Sequence, residues 1–134
     1  MTKTKETKII EEKPLVVKSG EILGLIDDLS HLVTEKLKLK VKGHAYLLIE
    51  HLKPLMSSYN KLKDEFIKKN GSGDKEKGYS IGVEDWKKMS EEAKKEWEEM
   101  NDEEHKVETK LKLSFLEDIE SSHPYQFLYK VLNR

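Results

Sequence analysis

The chain has 134 residues, of which 36% are hydrophobic and 38% charged, enough apolar content for one modest domain. It contains no cysteine, which excludes disulfide scaffolds, thiol catalysis, cysteine-ligated zinc sites and iron–sulfur clusters. The net charge of −1 conceals two opposite segments. Residues 36–77 hold 11 lysines and 5 acids, whereas residues 84–104 hold 10 acids and 4 lysines. These segments, of net charge +6 and −6, can attract each other within one chain or between copies.

Residues 1–13 are polar and charged, and we interpret them as a flexible N-terminal arm. They lack the hydrophobic stretch of a secretory signal, and no apolar run reaches the ~18 residues that span a bilayer. We therefore expect no membrane partner. Residues 14–134 are predicted to form a single, mostly helical domain.

The first elements of this domain follow from the spacing of apolar residues. Residues 15–17 are an apolar run that predicts a strand. A helix is predicted over residues 20–36 because apolar residues recur there every three or four positions. Residues 36–42 alternate lysine with aliphatic residues, which favours a strand or extended connector with Leu37, Leu39 and Val41 facing inwards.

The strongest periodic pattern predicts a long helix over residues 44–69. Its heptad seam consists of Ala45, Leu48, Leu52, Leu55, Tyr59, Leu62 and Phe66. Proline removes one helical hydrogen bond and clashes with the preceding turn, so we expect a kink or break near Pro54. The seam has two alternative roles: it packs on the other helices, or it pairs with another chain.

The remaining elements are predicted from turns and shorter patterns. Residues 70–78 contain three glycines and predict a mobile loop. An acidic helix is predicted over 84–101, and alternating residues predict a second strand over 107–115, to pair with 15–17 or 37–41. A final short helix follows Pro124. The predicted fold class is mainly α (α+β), with three to four helices, a long helical hairpin and a small antiparallel β element.

Residues that could carry chemistry do not form a recognisable site in the sequence. The five histidines form no HExxH pair, and His44 and His51 are ~10 Å apart on a helix, too far to share one metal. The carboxylates of the acidic helix are typical of a solvated face. No phosphate-binding GxxxxGK[ST] loop occurs. We therefore predict no catalytic, cofactor-binding or metal-ligating residues, and no enzymatic activity.

Four aromatic residues are candidates for a protein interface: Tyr59, Phe66, Trp86 and Trp97. Trp86 and Trp97 share one helical stripe, so they are either core residues or interface anchors. Nucleic acid is a less favoured partner, because Arg134 is the only arginine and lysine lacks the bidentate fork suited to phosphates and bases.

Residues 37–132 resemble a set of small phage and prophage proteins of unknown function. The resemblance lies in LKLKVKGHAYLLIEHLKPL, in the 70–78 loop, in the helix with Trp86 and Trp97, and in KVETKLKLSFLEDI. It implies a non-enzymatic virion or assembly role, located in the virion or the host cytoplasm. The expected partner is another virion protein or a second copy of the chain, so a homo-oligomer is one expectation. The alternative is a phage-encoded regulator that binds a host protein or nucleic acid.

Overall fold

The computed structural model describes residues 14–117 and 119–134. In these ranges the α-helices are α1 (Ile22–Leu32), α2 (Leu39–Asn70), α3 (Val83–Lys88), α4 (Glu91–Asp102) and α5 (Gln126–Leu132). The strands are β1 (Leu15–Lys18), β2 (Ser72–Asp74), β3 (Gly78–Ser80) and β4 (Glu104–Val107). The fold is mainly α with a small antiparallel β element, which confirms the predicted class. The predicted N-terminal arm, 1–13, lies outside the described residues.

The β element consists of two separate antiparallel pairs. β1 pairs with β4, so that Leu15 lies opposite Val107 and Lys18 opposite Glu104. The strand predicted over 107–115 is wrong, because the strand that pairs with β1 is Glu104–Val107 and shares only Val107 with the prediction. Leu111 and Leu116 are both buried, and their spacing of five does not suit a strand with one buried face. The chain there instead forms a 3₁₀ turn over Leu113–Leu116.

The segment predicted as a loop is largely a β-hairpin. β2 and β3 pair in register, with Ser72 opposite Ser80. At the turn, the backbone N–H of Lys77 donates to Asp74 Oδ1 at 2.7 Å. Gly73 and Gly78 on either side of this turn have positive φ, of 134° and 83°, so the glycines permit the hairpin and Asp74 closes its turn.

The core is centred on α1. Its buried stripe consists of Ile22, Leu25, Leu29 and Leu32, each with no exposed surface. α1 and α2 pack together across the short connection 33–38 as the predicted helical hairpin, and α5 packs on the other side of α1. The first half of the predicted seam lies in this core, where Ala45, Leu48 and Leu52 are buried. This part of the seam therefore packs within the chain.

The strand or connector predicted at 36–42 is wrong for residues 39–42, because α2 begins at Leu39 and only 36–38 belong to the connection. Val41 lies four positions before Ala45 and continues its buried stripe, so a helix buries Val41 as well as a strand would. Leucine and lysine are both good helix formers, which favours the helical alternative. Leu39 consequently points outwards.

Of the kink or break predicted near Pro54, the break does not occur, because α2 continues through this residue to Asn70. Pro54 leaves the carbonyl of Glu50 without its helical donor, but Glu50 is exposed and water can bind there. Leu52, fully buried beside it, holds the helix on the core.

The acidic helix predicted as one element is two helices, α3 and α4, which are separated at Met89 and Ser90. Ser90 has extended backbone angles, and its side chain accepts a hydrogen bond from the backbone N–H of Ala93 at 3.1 Å. This is an N-cap, and it begins a new helix in place of a continuous one. Met89 is buried at the junction.

The close approach of α1 to α5 requires glycine at position 24. A Cβ on Gly24 would lie 2.4 Å from the ring of Phe127, whereas a Cβ on Gly43 in α2 meets nothing within 4 Å. We expect Gly24→Ala to lower the free energy of unfolding by about 2 kcal/mol because the ring must move. Gly43→Ala should raise it by roughly 0.5–1 kcal/mol through helix propensity. Urea denaturation followed by circular dichroism measures both; equal effects would contradict the packing described.

Candidate functional site

A buried carboxylate joins α1 to α5. Asp28 Oδ2 accepts hydrogen bonds from the backbone N–H groups of Phe127 and Leu128, at 2.9 and 3.0 Å. Its Oδ1 lies 2.8 Å from His123 Nε2. The ring of His123 stacks on His31 with centroids 4.1 Å apart. Asp28 therefore caps the first turn of α5 from a different helix, a function normally served by the N-cap residue itself.

The residue in the N-cap position of α5 cannot supply this cap. Tyr125 has a left-handed backbone, with φ of 48°, and its side chain makes no capping bond. A left-handed conformation costs a non-glycine residue roughly 1–2 kcal/mol. Burial of the tyrosine ring, which is 2% exposed, and the two bonds from Asp28 offset this cost.

A second buried carboxylate precedes α1. Glu21 receives both terminal nitrogens of Arg134, at 2.8 and 2.7 Å, and Lys130 Nζ at 3.2 Å. The backbone N–H of Lys18 donates to the same carboxylate at 3.0 Å. The bidentate Arg134 contact is the main cause that lowers the pKa of Glu21 from 4.5 to about 2. Arg134 also donates to the carbonyl of Val16, so it joins β1, α1 and the end of the chain.

Both carboxylates are therefore engaged in holding elements together. The Asp28–His123 pair resembles two members of a catalytic triad, but among the described residues no hydroxyl side chain is hydrogen-bonded to the ring of His123. Within residues 14–117 and 119–134, no group of three or more potential ligands is placed to hold a metal ion. No helix in the same ranges is long and apolar enough to cross a membrane.

Three of the four predicted interface aromatics lie where α2 meets α4. Phe66 is buried, and its ring centroid lies 5.0 Å from that of the half-buried Trp97. The hydroxyl of the half-buried Tyr59 donates to the side-chain oxygen of Asn101. Phe66 and Trp97 thus attach α4 to the second half of α2, which corresponds to the core alternative considered for Trp97.

Trp86 remains at the surface and lies at one end of an acidic face on α4. It is 38% exposed, and Val83 beside it on α3 is 72% exposed. Lys94 lies over the Trp86 ring at 5.7 Å and also pairs with Glu91 at 3.8 Å, so the indole borders the first turn of α4. The exposed carboxylates that we call the acidic face are Glu91, Glu92, Glu98, Glu99 and Asp102, with Lys95 among them.

The first two and a half turns of α2 carry an apolar surface that lies outside the heptad seam. Leu39, Tyr46 and Leu47 are 85%, 55% and 54% exposed, and at 3.6 residues per turn they lie within about 100° of one another. Lys40 and Lys42 border this group on its two sides. We call these five residues the basic apolar face. The available signal was apolar residues at i, i+7 and i+8 outside the heptad seam.

The two charged segments are not paired with each other. Among the described residues, no ion pair joins a lysine of 36–77 to an acid of 84–104. The ion pairs within each segment, such as Lys53–Glu50 and Lys87–Glu84, join residues three apart on one helix. The lysines of α2 and the carboxylates of α4 therefore present their charge to the surroundings.

Comparison of the chain with protein-family models, with curated proteins and with solved structures finds no match to any of them. The functional argument therefore depends on the surfaces described above.

Removal of the carboxylate that caps α5 should destabilise the protein. We expect Asp28→Ala to lower the free energy of unfolding by about 3 kcal/mol, because two backbone donors and His123 lose their acceptor. Asp27→Ala is the matched control, since Asp27 is the exposed neighbour on the same helix. Urea denaturation gives the free energies, and amide hydrogen exchange at Leu128 should accelerate in the Asp28 variant alone.

The Glu21 network should make stability depend on acidic pH. A lowered pKa means that the ionised carboxylate stabilises the folded state fully above pH 4.5, and that this contribution is lost as the pH falls towards 2. At neutral pH the free energy of unfolding of wild type should exceed that of Glu21→Gln by about 2 kcal/mol. This figure allows for solvent screening at the partly exposed Arg134. The difference should shrink between pH 4.5 and 2. Glu108→Gln, at an exposed site, should show no such change; a pH-independent Glu21 effect would contradict the network.

Proposed function

We propose that this chain is a non-enzymatic protein-interaction module with a structural or assembly role. The observation that carries the proposal is the basic apolar face, where three large apolar side chains are exposed together on one helix. Contiguous exposed apolar surface on a single chain marks interaction sites, because leaving it in water is unfavourable. The bordering lysines would select a partner with acidic groups around an apolar centre.

The polar chemistry of the interior supports the same proposal. The two most buried carboxylates, Asp28 and Glu21, are saturated by donors from α5, Arg134 and the backbone. Their use is to fix the scaffold beneath the surface. A scaffold fixed in this way presents its exposed side chains with little loss of entropy on binding.

A phage context is the part of the proposal that rests on the sequence resemblance alone. In that context the chain would be a component of the virion or an assembly factor. Quantitative mass spectrometry of purified particles from the source tests this directly. A fixed copy number per particle supports a virion component, and absence from the particle contradicts it.

Site-specific photocrosslinking tests whether the basic apolar face contacts protein. A photoreactive phenylalanine derivative at Leu47 should give discrete protein crosslinks in the source cells. The same residue at Leu23, an exposed leucine on α1, is the matched control and should not give these products. Crosslinks from position 47 to nucleic acid, with none to protein, would contradict the proposal and favour a nucleic-acid-binding regulator.

A further inference from the structure

We infer that the partner of the basic apolar face is the acidic face of a second copy of this chain. The inference rests on the proposed function and names the occupant of that surface. It starts from complementarity: one surface presents lysines around apolar side chains, and the other presents carboxylates beside the exposed Trp86 and Val83. Apolar and opposite-charge contacts can therefore form in the same interface.

The two faces of one molecule cannot meet. α4 is anchored on the second half of α2 through Phe66 and Trp97. α4 also contacts Tyr59 of α2 through Asn101, and Tyr46 lies 13 residues before Tyr59 on the same helix, which places it roughly 20 Å away at 1.5 Å per residue. α4 has 12 residues and is only about 18 Å long, and its acidic face points away from the side that packs on α2. Pairing of the faces therefore requires two chains.

The exposed charges favour this occupant over an unrelated partner. The lysines at the start of α2 and the carboxylates of α4 have no partner in the other segment among the described residues. A second copy satisfies both surfaces at once, because each molecule carries one of each. The contact joins two different patches. It is isologous if it is reciprocal in a two-fold dimer, and heterologous if it is repeated from copy to copy.

Charge reversal at each face tests the inference on the full-length chain. K40E/K42E makes the basic apolar face acidic, and E92K/E99K removes the net negative charge of the acidic face. The first variant alone then presents two acidic faces, and the second presents a basic face and a neutral one. The self-association of each should weaken about tenfold or more, because neither variant has two faces of opposite charge. Sedimentation velocity over a range of concentrations measures this. K110E/K112E, at two exposed lysines outside both faces, is the matched control and should associate like wild type.

The decisive measurement is an equimolar mixture of K40E/K42E and E92K/E99K. The first variant retains the native acidic face and the second retains the native basic apolar face, so the mixture should associate although each variant alone does not. Circular dichroism should show that both variants are folded; acidic residues in the first turn of α2 are favourable for the helix dipole. High salt should weaken association of wild type and of the mixture.

Two results would overturn the inference: wild type that stays monomeric at all concentrations, or folded variants whose mixture does not associate. Neither result contradicts the proposed function, because crosslinks from position 47 to a different protein would still support that function. Crosslinks from position 47 to α4 of a second copy of this chain would support both the inference and the proposed function, provided that they are lost in cells that produce the E92K/E99K variant. Failure of the crosslinking experiment alone would contradict the proposed function.

Discussion

The rest of the structure depends on the burial of α1, a helix of only 11 residues. Its apolar stripe is completely buried between α2 and α5. The helix and the turn before it also bury two carboxylates, Asp28 and Glu21, at a cost that is acceptable only when each charge is hydrogen-bonded. Asp28 receives three donors and Glu21 receives four, and most of these come from the last 12 residues of the chain. The first and last described elements are thereby locked together.

This arrangement gives the molecule one part with many buried residues and another part with few. The core takes the first half of α2, up to Leu52, whereas Phe66 is the only residue in the remainder of that helix that is buried among the described residues. No residue within α3 or α4 is fully buried. α4 is held by Phe66–Trp97 and Tyr59–Asn101 and by the packing of Asn101 on Gly20 in the turn before α1. A helix attached along one narrow stripe keeps most of its surface in water, and here that surface is acidic.

The sequence predicts the elements of this fold that depend on local patterns, but not the contacts between residues that are far apart in the chain. The stripes of α1 and α2 and the strand β1 were predictable because burial on one face leaves a regular apolar spacing. The alternation of lysine and aliphatic residues at 36–42 led to a wrong prediction of extended structure, because a helix beginning at Leu39 buries Val41 equally well. The bonds of Asp28 join residues about 100 positions apart and leave no local pattern. The four aromatic residues could be chosen from the sequence by their type. Which of them pack within the chain and which remain at the surface depends on tertiary contacts that the sequence pattern does not show.

Part of the charge on each of the two proposed faces is unfavourable for the helix that carries it. Lys40 and Lys42 lie at the start of α2, where unpaired backbone N–H groups already make the helix end positive, and no acid lies in that turn. Glu98, Glu99 and Asp102 lie towards the end of α4, where the helix is negative, and no base lies in its last turn. Each arrangement weakens its own helix slightly, and each is relieved when a surface of opposite charge covers it. Local electrostatic costs of this kind are reduced by binding, so they add to the affinity of the contact that we propose without adding to the stability of the free chain.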